Sequence, residues 1–158
     1  MKSYVPIQRD KALQPFSREH HHGLLLGWKI RTGLKKKVDP ERIKKYCDAF
    51  YKYQLLPHFE NEESYLFPVL GKSHPLVLQA IQQHRQLELL FTQPLVSVEV
   101  LLEIAELLDH HIRFEERVLF NELQRSASKK QLEKIAKLHP KQTPICTTLN
   151  AWKDNFWE

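Results

Sequence analysis

Two stretches of the chain repeat the same order of histidine, glutamate and phenylalanine. His58 begins the sequence HFENEESYLF and His111 begins HIRFEERVLF, so both follow the frame H-x-x-x-E-E-x-x-L-F. On an α-helix, side chains four residues apart project from the same face, one turn above the other. Each copy therefore brings an imidazole and a carboxylate together, His58 with Glu62 and His111 with Glu115. Two such pairs that face each other among packed helices would form a site for two metal ions.

Hydrophobic periodicity predicts the two helices that carry these pairs. The apolar pattern from Ile43 to Leu70 indicates one long helix that is kinked at Pro57, because proline removes a helical hydrogen bond. The inward face of this helix consists of Tyr51, Leu55, His58, Glu62, Leu66 and Val69. A second such helix is capped by Ser97 and extends to about Leu123. Its inward face consists of Leu101, Ile104, Leu108, His111, Glu115, Val118 and Leu119.

Two other predicted helices each add one unpaired histidine. The helix from Leu76 to about Thr92 carries His84 on the face formed by Val77, Ala80, Ile81, Leu87 and Phe91.

The first predicted helix, from Arg18 to about Leu34 with Ser17 as its cap, contains three successive histidines. His21 lies closest to the direction of Leu24, Leu25 and Trp28 and is the predicted ligand. The helix register is uncertain by about one residue, so His20 and His22 remain alternatives.

The inward faces together hold four imidazoles and two carboxylates, namely His21, His58, Glu62, His84, His111 and Glu115. Their order along the chain has a two-fold pseudosymmetry, with a histidine and then an H-x-x-x-E pair in each half. Imidazole suits iron, copper, nickel and zinc, and carboxylates shift the preference towards iron or manganese. A carboxylate can also bridge two cations. Without a metal, these buried polar groups would need other partners, so the sequence predicts a dinuclear metal site.

Further ionisable residues lie near the predicted ligands. Glu60, Glu63 and Glu116 fall off the inward faces and are expected to be solvated or to pair with arginines. Glu88 follows His84 by four residues, which leaves it open as an extra ligand or as a hydrogen-bond acceptor for a ligand.

Tyr51 and Tyr65 flank the inward face of the second helix, where they either pack in the core or donate a hydrogen bond to a ligand at the metal. His74 and His139 adjoin prolines and are predicted to be turn residues.

Size and composition favour a single all-α domain. The 158 residues are 42% hydrophobic and 27% charged, which is typical of a globular protein with one core. The predicted helical bundle spans about residues 17–124, and residues 125–158 form a C-terminal helix and a tail. That helix follows Ser128 and ends at Leu138, and three aromatic residues predict that the tail packs on the bundle. Residues 1–16 are expected to form an extended arm on the domain.

Charge and hydropathy exclude several classes of function. The net charge of +5 comes partly from short lysine runs at predicted helix ends, and no motif for nucleic-acid binding accompanies it. No apolar run reaches the roughly 20 residues that cross a membrane. The N-terminus lacks the apolar segment of a secretory signal, so a cytoplasmic location is expected.

Cys47 shares a helix face with His58 and is predicted to be a small buried residue. The Leu26, Ile30 and Leu34 side of the first helix is either a homodimer face or the seat of the tail.

Four segments of the chain resemble the hemerythrin-like family, whose members carry the HHE cation-binding domain. They are REHH at residues 18–21, HFxxEExxLFP from His58, QHR at residues 83–85 and HIxxEExxLF from His111. The likeness covers most of residues 15–125. It implies an up-down-up-down four-helix bundle and a non-haem di-iron centre with bridging carboxylates. Manganese and zinc are possible substitutes for iron.

The chain departs from the oxygen-carrying members of this family at two points. Those proteins use two histidines four residues apart in the third helix, whereas Ala80 and Glu88 flank His84 here at that spacing. Their last acid follows its histidine by five residues, whereas Glu115 follows His111 by four.

The resemblance implies that His21 and His58 hold one iron and that His84 and His111 hold the other, with both glutamates bridging. Each iron then keeps open positions for water, oxygen, peroxide or nitric oxide. The expected function is therefore the binding or sensing of oxygen or a related small ligand. A di-iron oxidase or peroxidase is the alternative, as is an iron-homeostasis or interaction module in which the metal is structural.

Overall fold

A computed structural model describes residues 8–138 and 145–158 of the chain. Within these ranges the protein is built from helices and contains no β-strand. The predicted all-α class is therefore confirmed. His139 and the first seven residues of the predicted arm lie outside the described residues.

The first helix, α1 (Gln14–Lys35), begins earlier than the sequence indicated. Pro15 lies in its first turn, where proline's fixed backbone angle suits a helix and its missing N–H would have no partner. The prediction of an extended arm through residue 16 is thus wrong at its C-terminal end. Ser17 lies inside the helix and does not cap it.

The second helical stretch continues from Pro40 to Val69, but its hydrogen-bonding pattern changes along the way. Its segments are α2 (Pro40–Phe50), a π-helical segment (Tyr51–Leu55), α3 (Leu56–Asn61), a second π-helical segment (Glu62–Leu66) and a 3₁₀ turn (Phe67–Val69). Pro57 lies in the first turn of α3, directly after a π segment. The structure agrees with the prediction of one long helical stretch through Pro57, and its hydrogen-bonding pattern changes next to the proline at which a kink was predicted.

The remaining helices follow the predicted order. They are α4 (Pro75–Phe91), α5 (Val98–Phe114), a third π-helical segment (Glu115–Leu119), α6 (Phe120–Ser126), α7 (Lys129–Leu138) and α8 (Thr147–Asn150). Ser97 caps α5 through its side chain, which accepts a hydrogen bond from Val100 N. The side chain of His74 accepts from Leu76 N and caps α4, which agrees with its prediction as a turn residue.

Each copy of the repeated frame enters a π-helical segment at its first glutamate. Glu62 begins one segment and Glu115 begins the other. The wider π turn shifts the inward face by about one residue, and such turns are frequent at functional sites. As a result Leu119 and Phe120 are buried, whereas Val118 is 44% exposed. The prediction that Val118 faces inward is wrong for this reason.

Helix α1 packs most extensively against α5. Gly23 lies in this contact, and a Cβ atom there would approach Ile112 Cδ1 to 2.6 Å. Gly27 faces the same helix, where a Cβ would lie 3.7 Å from Ala105 O. The absence of side chains at these two positions lets the helices approach closely.

Two apolar clusters occupy the interior. One contains Leu55, Phe59, Leu108 and Ile112 with the tail residues Leu149 and Phe156. The other contains Phe16, Leu66, Phe67, Leu119 and Phe120 with Ile135 of α7. Phe59 of the first cluster and Phe67 of the second both stack on the ring of His84, so both clusters contact this histidine.

The C-terminal tail packs on the helices, as its aromatic residues predicted. Phe156 is buried, and the rings of Trp152, Phe156 and Trp157 lie 5.4, 5.8 and 5.4 Å from the ring of Tyr46. Cys47, on the same helix, is buried as expected.

The proposed dimer face on α1 is not exposed. Leu26 and Ile30 are buried, and Leu34 packs against the same core. Phe156 lies over Gly33, where an added Cβ would come within 2.9 Å of the ring. This side of α1 therefore seats the tail, which was the other possibility.

In the described part of the chain, no helix combines the length and the apolar character needed to cross a membrane.

Candidate metal centre

Six buried side chains from four helical stretches converge in the interior. His20, His58, Glu62 and Glu115 form one group of possible ligands, and Glu62, His84, His111 and Glu115 form another. Within each group the ligand atoms lie within 4.8 Å of one another. We call the group with His20 and His58 the first position and the group with His84 and His111 the second position. The two glutamates belong to both.

The shared glutamates lie between the imidazoles of the two positions. Glu62 Oε1 is 3.0 Å from Nε2 of His58 and 3.3 Å from Nε2 of His84. Glu115 Oε1 is 2.6 Å from Nε2 of His111 and 3.4 Å from Nε2 of His20. Each carboxylate thus faces one histidine of each position, which is the placement of a bridging ligand.

These inward atoms lack hydrogen bonds even though they lie close together. Among the residues that the structure describes, Nε2 of His20, His84 and His111 and all four oxygens of Glu62 and Glu115 are buried without a hydrogen-bond partner. Their short separations do not have hydrogen-bond geometry, so the atoms converge on a common volume without pairing. A buried polar atom without a partner costs about 1–3 kcal/mol, and a charged one costs more. A cation is the partner that would satisfy imidazole nitrogens and carboxylate oxygens together.

The outer nitrogen of each imidazole is held by an acceptor. The Nδ1 contacts are His20 with Glu116 at 2.6 Å, His58 with Glu19 at 3.0 Å, His84 with Glu63 at 2.8 Å and His111 with Gln83 at 2.6 Å. Carboxylate oxygens and the amide oxygen of Gln83 only accept, so Nδ1 carries the proton and donates it. This arrangement turns the lone pair of Nε2 inwards and fixes the ring, as outer partners do for metal-binding histidines.

The second glutamate of each repeat therefore has a definite role. Glu63 accepts from His84 and also pairs with Arg85. Glu116 accepts from His20 and also pairs with Arg9, whose Nη2 lies 3.1 Å from its Oε2. Pairing with an arginine was one of the two predictions for these residues, whereas the bonds to histidines of other helices were not predicted.

The last phenylalanine of each repeat packs on the histidine that its second glutamate holds. The ring centroid of Phe67 is 5.6 Å from that of His84, at an interplanar angle of 26°. Phe120 is stacked on His20 at 5.2 Å and 21°. Each repeat thus positions a histidine of a different helix by a hydrogen bond and a ring contact.

In the first helix the inward histidine is His20, and the prediction of His21 is wrong. His20 is buried, whereas His21 is exposed. The buried face of α1 continues through Gly23 and Gly27, which carry no side chain and add nothing to a count of apolar residues. Trp28, which had suggested the other face, is 51% exposed. The glycines that let α5 approach lie on the inward side together with the buried residues Leu26 and Ile30.

The other predicted ligands, His58, Glu62, His84, His111 and Glu115, all lie in the cluster. Glu88 lies apart from it and accepts a hydrogen bond from Arg85. Glu60 is exposed. Tyr51 stacks on Phe91 with ring centroids 5.3 Å apart, which is a packing role.

Glu19 and Gln83 are functional candidates that the sequence reasoning missed. Each directly precedes an inward histidine, as E-H in α1 and Q-H in α4, and each holds the outer nitrogen of the histidine on the next helical stretch. The sequence did offer a signal, because a hydrogen-bond acceptor directly precedes the inward histidine in both helices.

Opposing effects set the pKa values of His58 and His111 in the metal-free protein. Burial lowers the pKa of His58, but the charge of Glu62 and the hydrogen bond to Glu19 outweigh it and raise the pKa to about 9. Burial lowers the pKa of His111 more than Glu115 raises it, so the net shift is downwards. The two H-x-x-x-E pairs therefore differ in their affinity for a proton.

The other groups of the cluster are also shifted. Burial lowers the pKa of His20, but three glutamates outweigh it and raise that pKa well above 6.5. Burial lowers the pKa of His84, but the neighbouring carboxylates of Glu62 and Glu63 outweigh it and raise that pKa as well. Burial raises the pKa of Glu62, but the surrounding imidazoles hold it well below 4.5. Protons on the imidazoles therefore balance the buried carboxylates in the metal-free protein, and a cation must displace them.

A small enclosed cavity adjoins the first position. Its volume is about 10 Å³, and its walls include His20, His58, His111, Gly23, Phe59 and Ile112. This is room for about one water-sized molecule. The cavity is mostly apolar apart from the imidazoles, Glu19 and Gln54.

Comparisons of the chain with family models, with curated proteins and with solved structures give no significant match.

The shifted histidine pKa values predict that the metal-free protein loses stability at alkaline pH. A raised folded-state pKa contributes stability that is complete below the unfolded value of 6.5 and is lost as pH rises through the folded value. For His58, with a pKa of about 9, the contribution is on the order of 3 kcal/mol. Urea unfolding in the presence of a chelator should give a free energy of unfolding that falls between pH 6.5 and 9.5.

A matched pair of variants isolates this effect. His58→Gln should make the alkaline fall smaller, whereas His110→Gln, at an exposed histidine, should leave it unchanged. A free energy of unfolding that is constant or rises over this range would contradict the assignment of protons to the buried imidazoles.

Proposed function

We propose that this chain is a non-haem di-iron protein of the hemerythrin-like type, an up-down-up-down four-helix bundle that binds or senses oxygen or a related small ligand. The observation that carries the proposal is the convergence of orphaned atoms, three imidazole nitrogens and four carboxylate oxygens, in a buried volume. A merely structural cluster would pair these atoms with each other or with the backbone. We further expect a cytoplasmic location.

The donor set supports two cations. Each position offers two imidazoles of its own and shares both glutamates with the other. Nitrogen donors with bridging carboxylates suit iron, and manganese and zinc are the expected substitutes. When bound, iron supplies Lewis-acid and redox chemistry.

Residues around the imidazoles orient them for binding iron. Glu19, Glu63, Gln83 and Glu116 hold protons at the Nδ1 atoms and leave the Nε2 atoms free to bind. The phenylalanines stacked on His20 and His84 restrict rotation of these rings. The two apolar clusters contribute the phenylalanines that contact these imidazoles, and they exclude bulk water and lower the local dielectric constant.

The cavity beside the first position favours a small ligand. Its volume of about 10 Å³ accommodates a molecule of roughly the size of water or a diatomic gas, and its apolar wall suits an uncharged one. An organic substrate would require the surrounding helices to move apart. Oxygen, nitric oxide and peroxide fit this description.

Adjacent histidines allow a sharp test of the metal site. Protein with His20→Ala should retain fewer than two irons per chain after loading with iron(II) and desalting, because one imidazole of the first position is lost. The variant His21→Ala should retain two, since His21 is exposed. Metal analysis of the two preparations, with circular dichroism as the check on folding, gives the comparison.

The conservative variant His20→Gln covers the case in which the alanine variant does not fold. Equal iron content in the His20 and His21 variants would contradict the assignment, and so would wild-type protein that retains no iron.

The size of the cavity leads to a prediction about exogenous ligands. Nitric oxide, which is diatomic and uncharged, should change the visible spectrum of the iron(II)-loaded protein, whereas imidazole at the same concentration should not, because it exceeds the cavity. Anaerobic absorption titrations with both ligands measure the difference. No response to nitric oxide would contradict ligand binding and leave the metal with a structural role.

A further inference from the structure

The outer hydrogen bonds of the two positions differ in one place. In the first position the outer acceptors are Glu116 and Glu19, and in the second they are Glu63 and Gln83. Glu116 and Glu63 are equivalent, since each is a carboxylate at the same place in its repeat. Glu19 and Gln83 also have equivalent places, each directly before an inward histidine, but one is a carboxylate and the other an amide.

This difference acts on the inward nitrogen of the histidine concerned. The Glu19 carboxylate accepts the Nδ1 proton of His58 and so raises the electron density at Nε2. The amide oxygen of Gln83 carries only a partial charge, and its shorter contact to His111, 2.6 Å against 3.0 Å, adds no net charge.

Burial keeps the difference from being screened by solvent. Gln83 is 6% exposed, and the side chain of Glu19 is 13% exposed. A carboxylate at this depth attracts a cation more strongly than it would at the surface. The Glu19 carboxylate lies beside the first position, in contact with His58.

We infer that the two metal positions are unequal and that a divalent cation fills the first position before the second. This inference rests on the proposed dinuclear site, and it adds that Glu19 and Gln83 set the order of filling. They are positioning residues, because each acts on a cation through a histidine. Changes to outer partners of metal-binding histidines typically alter affinity by 10–100-fold, so the first position should be preferred by roughly 10-fold or more.

Zinc titration followed by nuclear magnetic resonance tests the order directly. Zinc avoids any redox reaction, and ¹⁵N-labelled histidine reports which imidazoles bind it. At one equivalent of Zn²⁺, and at a pH high enough that protons no longer compete for the imidazoles, the Nε2 signals of His20 and His58 should shift, while those of His84 and His111 remain largely at their metal-free positions. The decisive quantity is the fraction of each position that is occupied at one equivalent. Two separate binding steps alone would not suffice, because repulsion between two cations separates the steps even when both positions have the same affinity.

Matched variants identify the cause. Glu19→Gln gives both positions an amide and Gln83→Glu gives both a carboxylate, so either change should bring the two populations within a few-fold of each other. The double variant Glu19→Gln/Gln83→Glu exchanges the two acceptors and should fill the second position first.

The outcomes separate this inference from the proposed function. If the wild type binds two zinc ions but fills both positions equally at one equivalent, the inference is overturned and the dinuclear site remains intact. A preference that persists unchanged in the double variant would overturn the role of Glu19 and Gln83. Failure of every variant and of the wild type to bind zinc would overturn the proposed site itself, and the inference with it.

Discussion

The structure depends on the burial of two carboxylates, Glu62 and Glu115, among four imidazoles. Both glutamates are fully buried, and their oxygens have no hydrogen-bond partner within the described residues. An ionised carboxylate in such surroundings is costly unless a positive charge accompanies it. Protonated imidazoles meet this need in the metal-free protein, and cations would meet it in the loaded protein. The rest of the fold holds these groups close together without letting them pair.

Residues of the repeated frame make most of the contacts that form this arrangement. Its histidine faces inwards, its first glutamate lies between the two positions, and a π turn starts at that glutamate. Its second glutamate and its phenylalanine both contact a histidine on another helix, His84 for one copy and His20 for the other. Its leucine packs in the apolar cluster next to the site. Each copy therefore supplies two of the six candidate ligands and orients a third that it does not contain.

Much of the site could be predicted because its signals are local. His58 with Glu62 and His111 with Glu115 share a helix face at a spacing of four, and His84 stands alone on an apolar face, so a helix-period argument finds them. The helix order and the packed tail followed from caps, prolines and aromatic residues.

The errors arose where tertiary contacts override local pattern. The register of α1 depends on glycines that allow α5 to approach, and an apolar count therefore selected His21 in place of His20. A regular helix count placed Val118 inwards, but the π segment that begins at Glu115 shifts the inward face by about one residue. The bonds from Glu63 and Glu116 join helices that are distant in sequence, so no periodicity on one helix reveals them.

The central claim is that two cations occupy the cluster at once. Anomalous diffraction from crystals of the iron-loaded protein, measured at the iron absorption edge, tests it most directly. The account predicts two anomalous peaks, one beside His20 and His58 and the other beside His84 and His111, with Glu62 and Glu115 in contact with both. A single peak, or peaks away from these side chains, would contradict it.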